Sequence, residues 1–356
     1  MIITRLSLLR IREWQLADKH YRFKTLYWRH SKSKAMTVRP RGRKQIVNLD
    51  EIMTDQQIKE ERWTLVALSE ATNSKENCLI WLAKHRLIKN SCECIKCCQL
   101  ASFVNFVEGI DGFRWRCCNC NFRKSVRDNS FFGGSHISLV QLLQLIHCWS
   151  YDMPLFNIIH ETKISKEPVI DWCNSCREEC EKYINRHKLS EIGGIDDDEE
   201  PIIVEINEAK NIKRKYLTHE SRWVFGGIER HSRKGFLIEI PNNTTASLIE
   251  AITKHILPGT HIVSRRIAAF ANIANIHNGI YSHSVVKPQG NFVDDVVHTT
   301  NVEKLWMRAK RLLKRQFGTN NIQFSTCLNE FMFRNSIGDR HIFGAVLIAI
   351  AEDYVV

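Results

Sequence analysis

Apolar residues recur at helical spacing from about Asp55 to Lys89, in the pairs Leu65/Leu68, Leu79/Leu82 and Ile80/Leu87, which predicts short helices ahead of a cysteine-rich stretch. His136 to Trp149 reads as an amphipathic or buried helix with Leu139, Leu142, Leu143 and Ile146 on one side. Phe156 to His160 and Pro168 to Ile184 follow as a helix-turn-helix-like pair. The next segment, Gly193-Gly194-Ile195, then Asp196 to Glu200 and Pro201, has no period and dense negative charge, so it reads as a linker. Beyond Pro201 the pattern changes. Ile202 to Ile206, Trp223 to Ile228 and Phe236 to Ile240 are short β-type runs, Ala246 to Ile256 is helical, His261 to Ser264 is strand-like, and Asn301 to Arg315 is helical with a basic face. Strands in series, then helix, strand and helix, predict an α/β domain with a mixed sheet.

Composition adds scale. A chain of 356 residues with 44% hydrophobic content buries one sizeable core and a smaller second one, which excludes a disordered protein. No apolar run approaches the roughly 18 residues a membrane helix needs, and the first thirty residues are too charged for a signal peptide, so the expectation is an intracellular protein without a membrane partner. Thirteen cysteines in a reducing compartment argue for metal ligands or buried thiols.

The net charge of +12 is concentrated. Residues 1–45 hold 13 Lys/Arg against Glu13 and Asp18, leaving about +1 for the remainder. A polyanion is the first reading of such an arm, since lysines and arginines that neutralise phosphates release counterions; a poorly ordered terminus with a nuclear-import signal stands beside it. The arm ends in Arg39-Pro40-Arg41-Gly42-Arg43-Lys44, an extended strip resembling an imperfect AT-hook core, which suits a narrow minor groove.

Cys94-Ile95-Lys96-Cys97 and Cys117-Cys118-Asn119-Cys120 are two C-x2-C knuckles separated by nineteen residues. Four thiolates so spaced close around one tetrahedral zinc, with a β-hairpin between them, and a closed site supports folding or binding in place of catalysis. Cys92 or Cys98 can displace a neighbour in the first pair, and Cys118 is a spare. Cys173, Cys176 and Cys180 fall on one helix face and read as core contacts.

At this point the residues resemble a known family. Cys94 to Cys120, Trp115-Arg116-Cys117, Lys124-Ser125-Val126-Arg127 and Ser130-Phe131-Phe132 resemble Merlin-type transposases and their ISXO-like bacterial insertion-sequence relatives. The likeness continues in Asp171-Trp172, Arg177-Glu178, Val204-Glu205-Ile206, Trp223 to Arg230, Leu257 to Thr260, Asn291 to Asp294, His298-Thr299, Val302 to Trp306 and Glu330-Phe331-Met332, spanning roughly residues 70–350. The resemblance implies an RNase-H-like mixed-sheet domain preceded by a zinc ribbon and a helical, helix-turn-helix-like region. The implied organisation is a basic arm at 1–54, short helices at 55–91, the ribbon at 92–132, a helical DNA-binding-like region at 133–190, the acidic linker at 191–201 and the transposase-derived domain at 202–356.

Such domains cut and join DNA with three acids, because two divalent cations about 4 Å apart must clamp the attacking and leaving oxygens, and hard cations need anionic oxygen ligands. Carried over, the first acid falls on Asn207, the second on Arg265, and the third is retained as Glu303. An amide still offers a neutral oxygen; a guanidinium brings a positive charge where a cation belongs, and can instead bind a phosphate itself. Glu205, on the same strand face as Asn207, and Glu208, Asp294 and Asp295 are the substitute carboxylates within reach. The leading reading is a nuclear DNA-binding protein, derived from a transposase, with structural Zn2+, a lost Mg2+ site, and homodimer and chromatin proteins as partners. Contacts to nucleic acid are assigned to Arg39, Arg41, Arg43, Lys44, Lys310, Arg311, Lys314 and Arg315. An active nuclease using substitute carboxylates and a protein-interaction scaffold are the alternatives.

Overall fold

The computed structural model describes residues 42–207, 223–265, 270, 273–286, 299–315, 324–338 and 341–354, with the side chains at 277, 278 and 313–315 left out. Arg39 and Arg41 lie outside the described residues, as do Glu208, Asp294, Asp295 and His298.

Among the described residues a 3-10 turn (Leu49–Glu51) precedes three short helices: α1 (Asp55–Glu60), α2 (Leu65–Ala71) and α3 (Lys75–Lys84). Each begins on a hydroxyl cap, since the side chains of Thr54, Thr64 and Ser74 accept the amides of Gln57, Ala67 and Asn77. A small antiparallel sheet follows, of β1 (Ser102–Asn105), β2 (Phe113–Arg116) and β3 (Arg123–Ser125). Its inner face stacks Phe103 on Phe113, with ring centroids 4.7 Å apart, and packs Phe103 against Trp115 at 5.5 Å.

Helices α4 (Leu139–Ser150), α5 (Leu155–Thr162) and α6 (Lys166–Arg186) pack on one another. The turn from α5 to α6 is three residues long and starts at Lys163 in the left-handed conformation (φ 57°), which gives the expected pair its sharp corner. Cys173, Cys176 and Cys180 are all buried in α6, where burial raises their thiol pKa values, so they are core contacts.

The acidic segment read as a linker is tied into the fold. Within it β4 (Ile192–Gly193) pairs in parallel with β8 (Ile256–Leu257), the amide of Gly194 donates to Thr260 Oγ1 at 2.7 Å, and Asp196 closes its own turn by accepting from the amides of Asp198 and Glu200. Here charge marked an Asx turn.

The larger sheet contains β5 (Ile203–Asn207), β6 (Trp223–Glu229), β7 (Gly235–Ile240), β9 (His261–Arg265) and β10 (Ser282–Val286), in the order β10-β9-β5-β6-β7. The pairs β5/β6 and β6/β7 are antiparallel; β5/β9 and β9/β10 are parallel. Three strands in meander, then two parallel strands added beyond the first, is the RNase-H-like arrangement. Helix α7 (Thr245–His255) packs on β7. On the other face α8 (Thr300–Arg315) lays Val302, Leu305, Trp306 and Ala309 against Val224, Ile228 and Leu237. This forms a second, smaller core distinct from the main one.

Two further helices complete the chain, α9 (Phe324–Ile337) and α10 (Ile342–Asp353). Every residue from Ile342 to Ala351 is buried, because α10 runs between α1, α4 and α6. The approach is so close that a Cβ at Gly344 would lie 2.6 Å from the Ile58 carbonyl oxygen. At the join, Glu330 of α9 is buried and accepts from Arg177 Nε of α6 at 2.7 Å and from Arg334 Nε at 2.8 Å, while Arg334 also donates to the carbonyls of Trp149 and Ser150. Burial pushes the Glu330 carboxyl up, but Arg334 and Arg177 more than offset it and hold it below its usual value.

Candidate functional site

The expected acidic site is assembled from the C-terminal ends of β5 and β9 and the start of α8. The parallel register pairs Glu205 with Val263, so continuing it by two residues sets Asn207 level with Arg265, with Glu205, Asn207 and Arg265 all on the face that α8 covers. Asn207 is 8% exposed.

Glu205 holds that helix in place. Its carboxylate is fully buried; Oε2 accepts the amides of Asn301 (2.9 Å) and Val302 (3.3 Å), and Oε1 accepts Asn301 Nδ2 (2.8 Å) and Arg230 Nε (3.1 Å). An anion at the first turn satisfies amides that have no partner within the helix and faces the positive end of its dipole. The same contacts set the start of α8, and with it Glu303, beside the strand ends. Glu205 is therefore committed to the helix N-terminus and to Arg230; freeing it for a metal would strip those donors. Sequence reasoning had named Glu205 only as a substitute ligand, and the signal for its true place was a lone acid inside an apolar strand.

Arg265 and Glu303 meet directly: the guanidinium Nη2 donates to the Glu303 carboxylate. Both side chains are about half exposed, at 49% and 41%. The three positions expected to hold the triad thus lie at the ends of neighbouring strands and the start of α8, but they offer a divalent cation one amide oxygen and one carboxylate already paired with an arginine. This set does not fit a pair of Mg2+ ions, which need several anionic oxygens.

The cysteine cluster does fit a metal. The sulfurs of Cys94, Cys97, Cys117 and Cys120 lie within 4.8 Å of one another, with Cys97 and Cys117 at 3.5 Å. Four sulfurs about 2.3 Å from a central ion would be separated by roughly 3.8 Å. Each knuckle is built by the backbone: the Cys94 amide donates to the Gln99 carbonyl and the Cys117 amide to the Phe122 carbonyl, while Cys98 and Asn121, each following the second cysteine of its pair, are left-handed (φ 54° and 57°). The Cys120 amide, 3.5 Å from the Cys117 sulfur, pulls that thiol down to about 7, and Cys97, hydrogen-bonded to Cys120, is pushed up to about 12. Four thiolates at this spacing repel, so the set ionises fully only around a cation. Cys92 is buried with its thiol toward the Glu93 carbonyl, and Cys98 and Cys118 are exposed; none of the three joins the cluster.

Of the residues assigned to nucleic acid, Arg43 and Lys44 are in contact with the ribbon. Arg43 bridges β1 through its carbonyl, 2.6 Å from the Phe103 amide, and its side chain pairs with Glu76 and lies over the Phe103 ring; Lys44 Nζ donates to the Leu100 carbonyl at 2.6 Å. On α8, Lys304, Arg308, Lys310 and Arg311 are exposed opposite the packed face. Lys314 and Arg315 lie on the same helix, with side chains outside the described residues. Among the described residues no helix is long and apolar enough to cross a membrane.

Strand order and strand direction define an RNase-H-like domain. Residues 189–336 match the family model of the ISXO2-like transposase domain. Among solved structures, the chain is similar to the HTLV-2 integrase catalytic core domain in complex with magnesium, in its dimeric form, at 15% identity over 37% of this chain and 84% of that one, with a TM-score of 0.27. It is also similar to the simian T-cell lymphotropic virus intasome in complex with the PP2A regulatory subunit B56 gamma, at 15% identity over 53% and 67%, with a TM-score of 0.30. No curated protein matches the chain.

Proposed function

We propose that this chain is a transposase-derived nuclear DNA-binding protein of the Merlin type that no longer cuts or joins DNA. The observation that carries the reading is the Arg265–Glu303 ion pair, which puts a positive group on the one retained acid of the triad. Glu205, the described carboxylate nearest in sequence, is held in the α8 cap and by Arg230. Zinc is the metal of the four-sulfur cluster, since a closed thiolate set suits a tetrahedral ion without open positions, and the Mg2+ site is lost.

DNA contact is supported by the charge of +11 in residues 1–45 and by the exposed basic face of α8. Nuclear location rests on the same basic arm, and a homodimer and chromatin proteins are the partners of this reading, to be sought by sedimentation and by pull-down from nuclear extract. The deciding experiment incubates the full chain with linear duplex DNA and Mg2+ or Mn2+ and measures binding in parallel. Salt-dependent binding without strand cleavage or joining is expected. Cleavage that disappears in Glu303→Gln would overturn the reading.

A further inference from the structure

The outward face of the ribbon sheet carries three arginines that its own fold does not need. Arg114 and Arg116 alternate on β2, and Arg116 stands directly opposite Arg123 of β3. Like charges facing one another across a strand pair cost stability. Neighbouring cations are treated differently: Lys124 pairs with Asp128 at 2.6 Å, Arg127 with Asp111 at 2.6 Å, and Arg43 with Glu76. Among the described residues no ion pair joins Arg114, Arg116 or Arg123 to a carboxylate; Arg116 finds only the neutral Asn121 Oδ1, at 3.0 Å.

Arg114 is also held in position. Its guanidinium lies over the Phe106 ring at 4.1 Å, its Nε is buried without an acceptor, and it lines a cleft of about 320 Å³ together with Phe106, Arg123 and Arg127. A guanidinium held over a ring has lost much of its side-chain freedom before any ligand arrives, and its fork matches phosphate oxygens. Two residues along a strand span about 6.8 Å and facing strands lie about 5 Å apart, so the three groups are spaced on the scale of successive phosphates.

We propose that Arg114, Arg116 and Arg123 form a clamp on the ribbon for the phosphate backbone of duplex DNA. This rests on the DNA-binding reading and adds to it residues other than those of the arm and α8. Duplex is favoured over single strands because both rings that line this cleft are already engaged, Phe106 by the Arg114 guanidinium and Phe113 by stacking on Phe103, which leaves less aromatic surface for an unstacked base.

The test measures affinity of the zinc-loaded full chain for a duplex between about 50 and 300 mM salt, for the native protein and for Arg114→Gln/Arg116→Gln/Arg123→Gln, with zinc content and circular dichroism as folding controls. The exposed Arg123→Gln alone is the fallback should the triple variant fail those controls. Each phosphate contact contributes about 0.9 to the slope of log K against log salt, so the triple variant should flatten it by about 2.7 and lose roughly two to three orders of magnitude in affinity near 0.1 M salt; the single variant should lose about a third of that slope change. Native binding with a slope that neither variant alters would overturn the clamp and leave the DNA-binding reading intact. No salt-dependent binding by the native protein would overturn both.

Discussion

Replacing Arg265 and Asn207 together by Asp should convert the strand ends into a cation site. At about 4 Å, unit charges interact by about 1 kcal/mol in watery surroundings and about 4 kcal/mol at an effective dielectric of 20. A divalent ion doubles either figure, and Asp for Arg changes the local charge by two. Because Arg265 and Glu303 are about half exposed, the watery limit applies, and the swing from Arg265 alone is about 4 kcal/mol, or nearly three orders of magnitude in Kd. Asn207→Asp adds to this in the same direction. Mn2+ titration followed by calorimetry and electron paramagnetic resonance reads the change directly, with no demand that activity return. The native chain should show no specific Mn2+ uptake at this site, whereas the double variant should bind, and its binding should fall away on further change of Glu303→Gln. Equal Mn2+ affinity in the native chain and the double variant would refute the charge argument.

Other outcomes follow from the same contacts. Cys117→Ala should abolish the metal content of purified protein, measured by elemental analysis, and expose residues 92–125 to limited proteolysis. Glu330→Ala leaves the part-buried Arg177 and Arg334 without their carboxylate and should cost about 3 kcal/mol in chemical denaturation. Because the folded-state pKa of Glu330 is lowered, its stabilisation is present above the ordinary carboxylate pKa and is lost as pH falls through the folded value; the stability gap between native chain and Glu330→Gln should therefore narrow on acidification below about pH 4. Gly42→Val brings a Cβ to within 2.4 Å of the Phe103 carbonyl oxygen, and should detach Arg43 from β1 with a destabilisation of about 1–3 kcal/mol, visible as faster amide exchange at Phe103.

Much of this was written into local pattern. The run Ile202 to Ile206 became β5 at Ile203–Asn207, Trp223 to Ile228 became β6 at Trp223–Glu229, and Ala246 to Ile256 became α7 at Thr245–His255. Each buries an apolar set whose period is readable without partners. The four cysteines of the cluster were legible for a different reason, since metal-ligand geometry restricts their spacing and the structure brings them together without Cys92, Cys98 or Cys118. What escaped was non-local. β10, Ser282–Val286, has polar residues at three of its first four positions in Ser-His-Ser-Val and exists because β9 offers it a ladder. β4 and β8 are two residues long, too short for any period. Glu205 declares itself through donors distant in sequence, at Arg230, Asn301 and Val302. Nor did the triad positions foretell the ion pair, because no spacing rule says that a guanidinium will turn toward Glu303.

Helix α10 ties the order of assembly to the length of the chain. Its burial between α1, α4 and α6 means that the groove it fills belongs to the first half of the sequence, yet the filler arrives only after the whole sheet has been made. A nascent chain synthesised through Arg186 therefore carries an open apolar slot until residues 342–353 leave the ribosome, a wait in which such surface is prone to aggregate or to recruit a chaperone. Messages cut short before that helix would yield products whose defect shows in the amino-terminal bundle, far from the break.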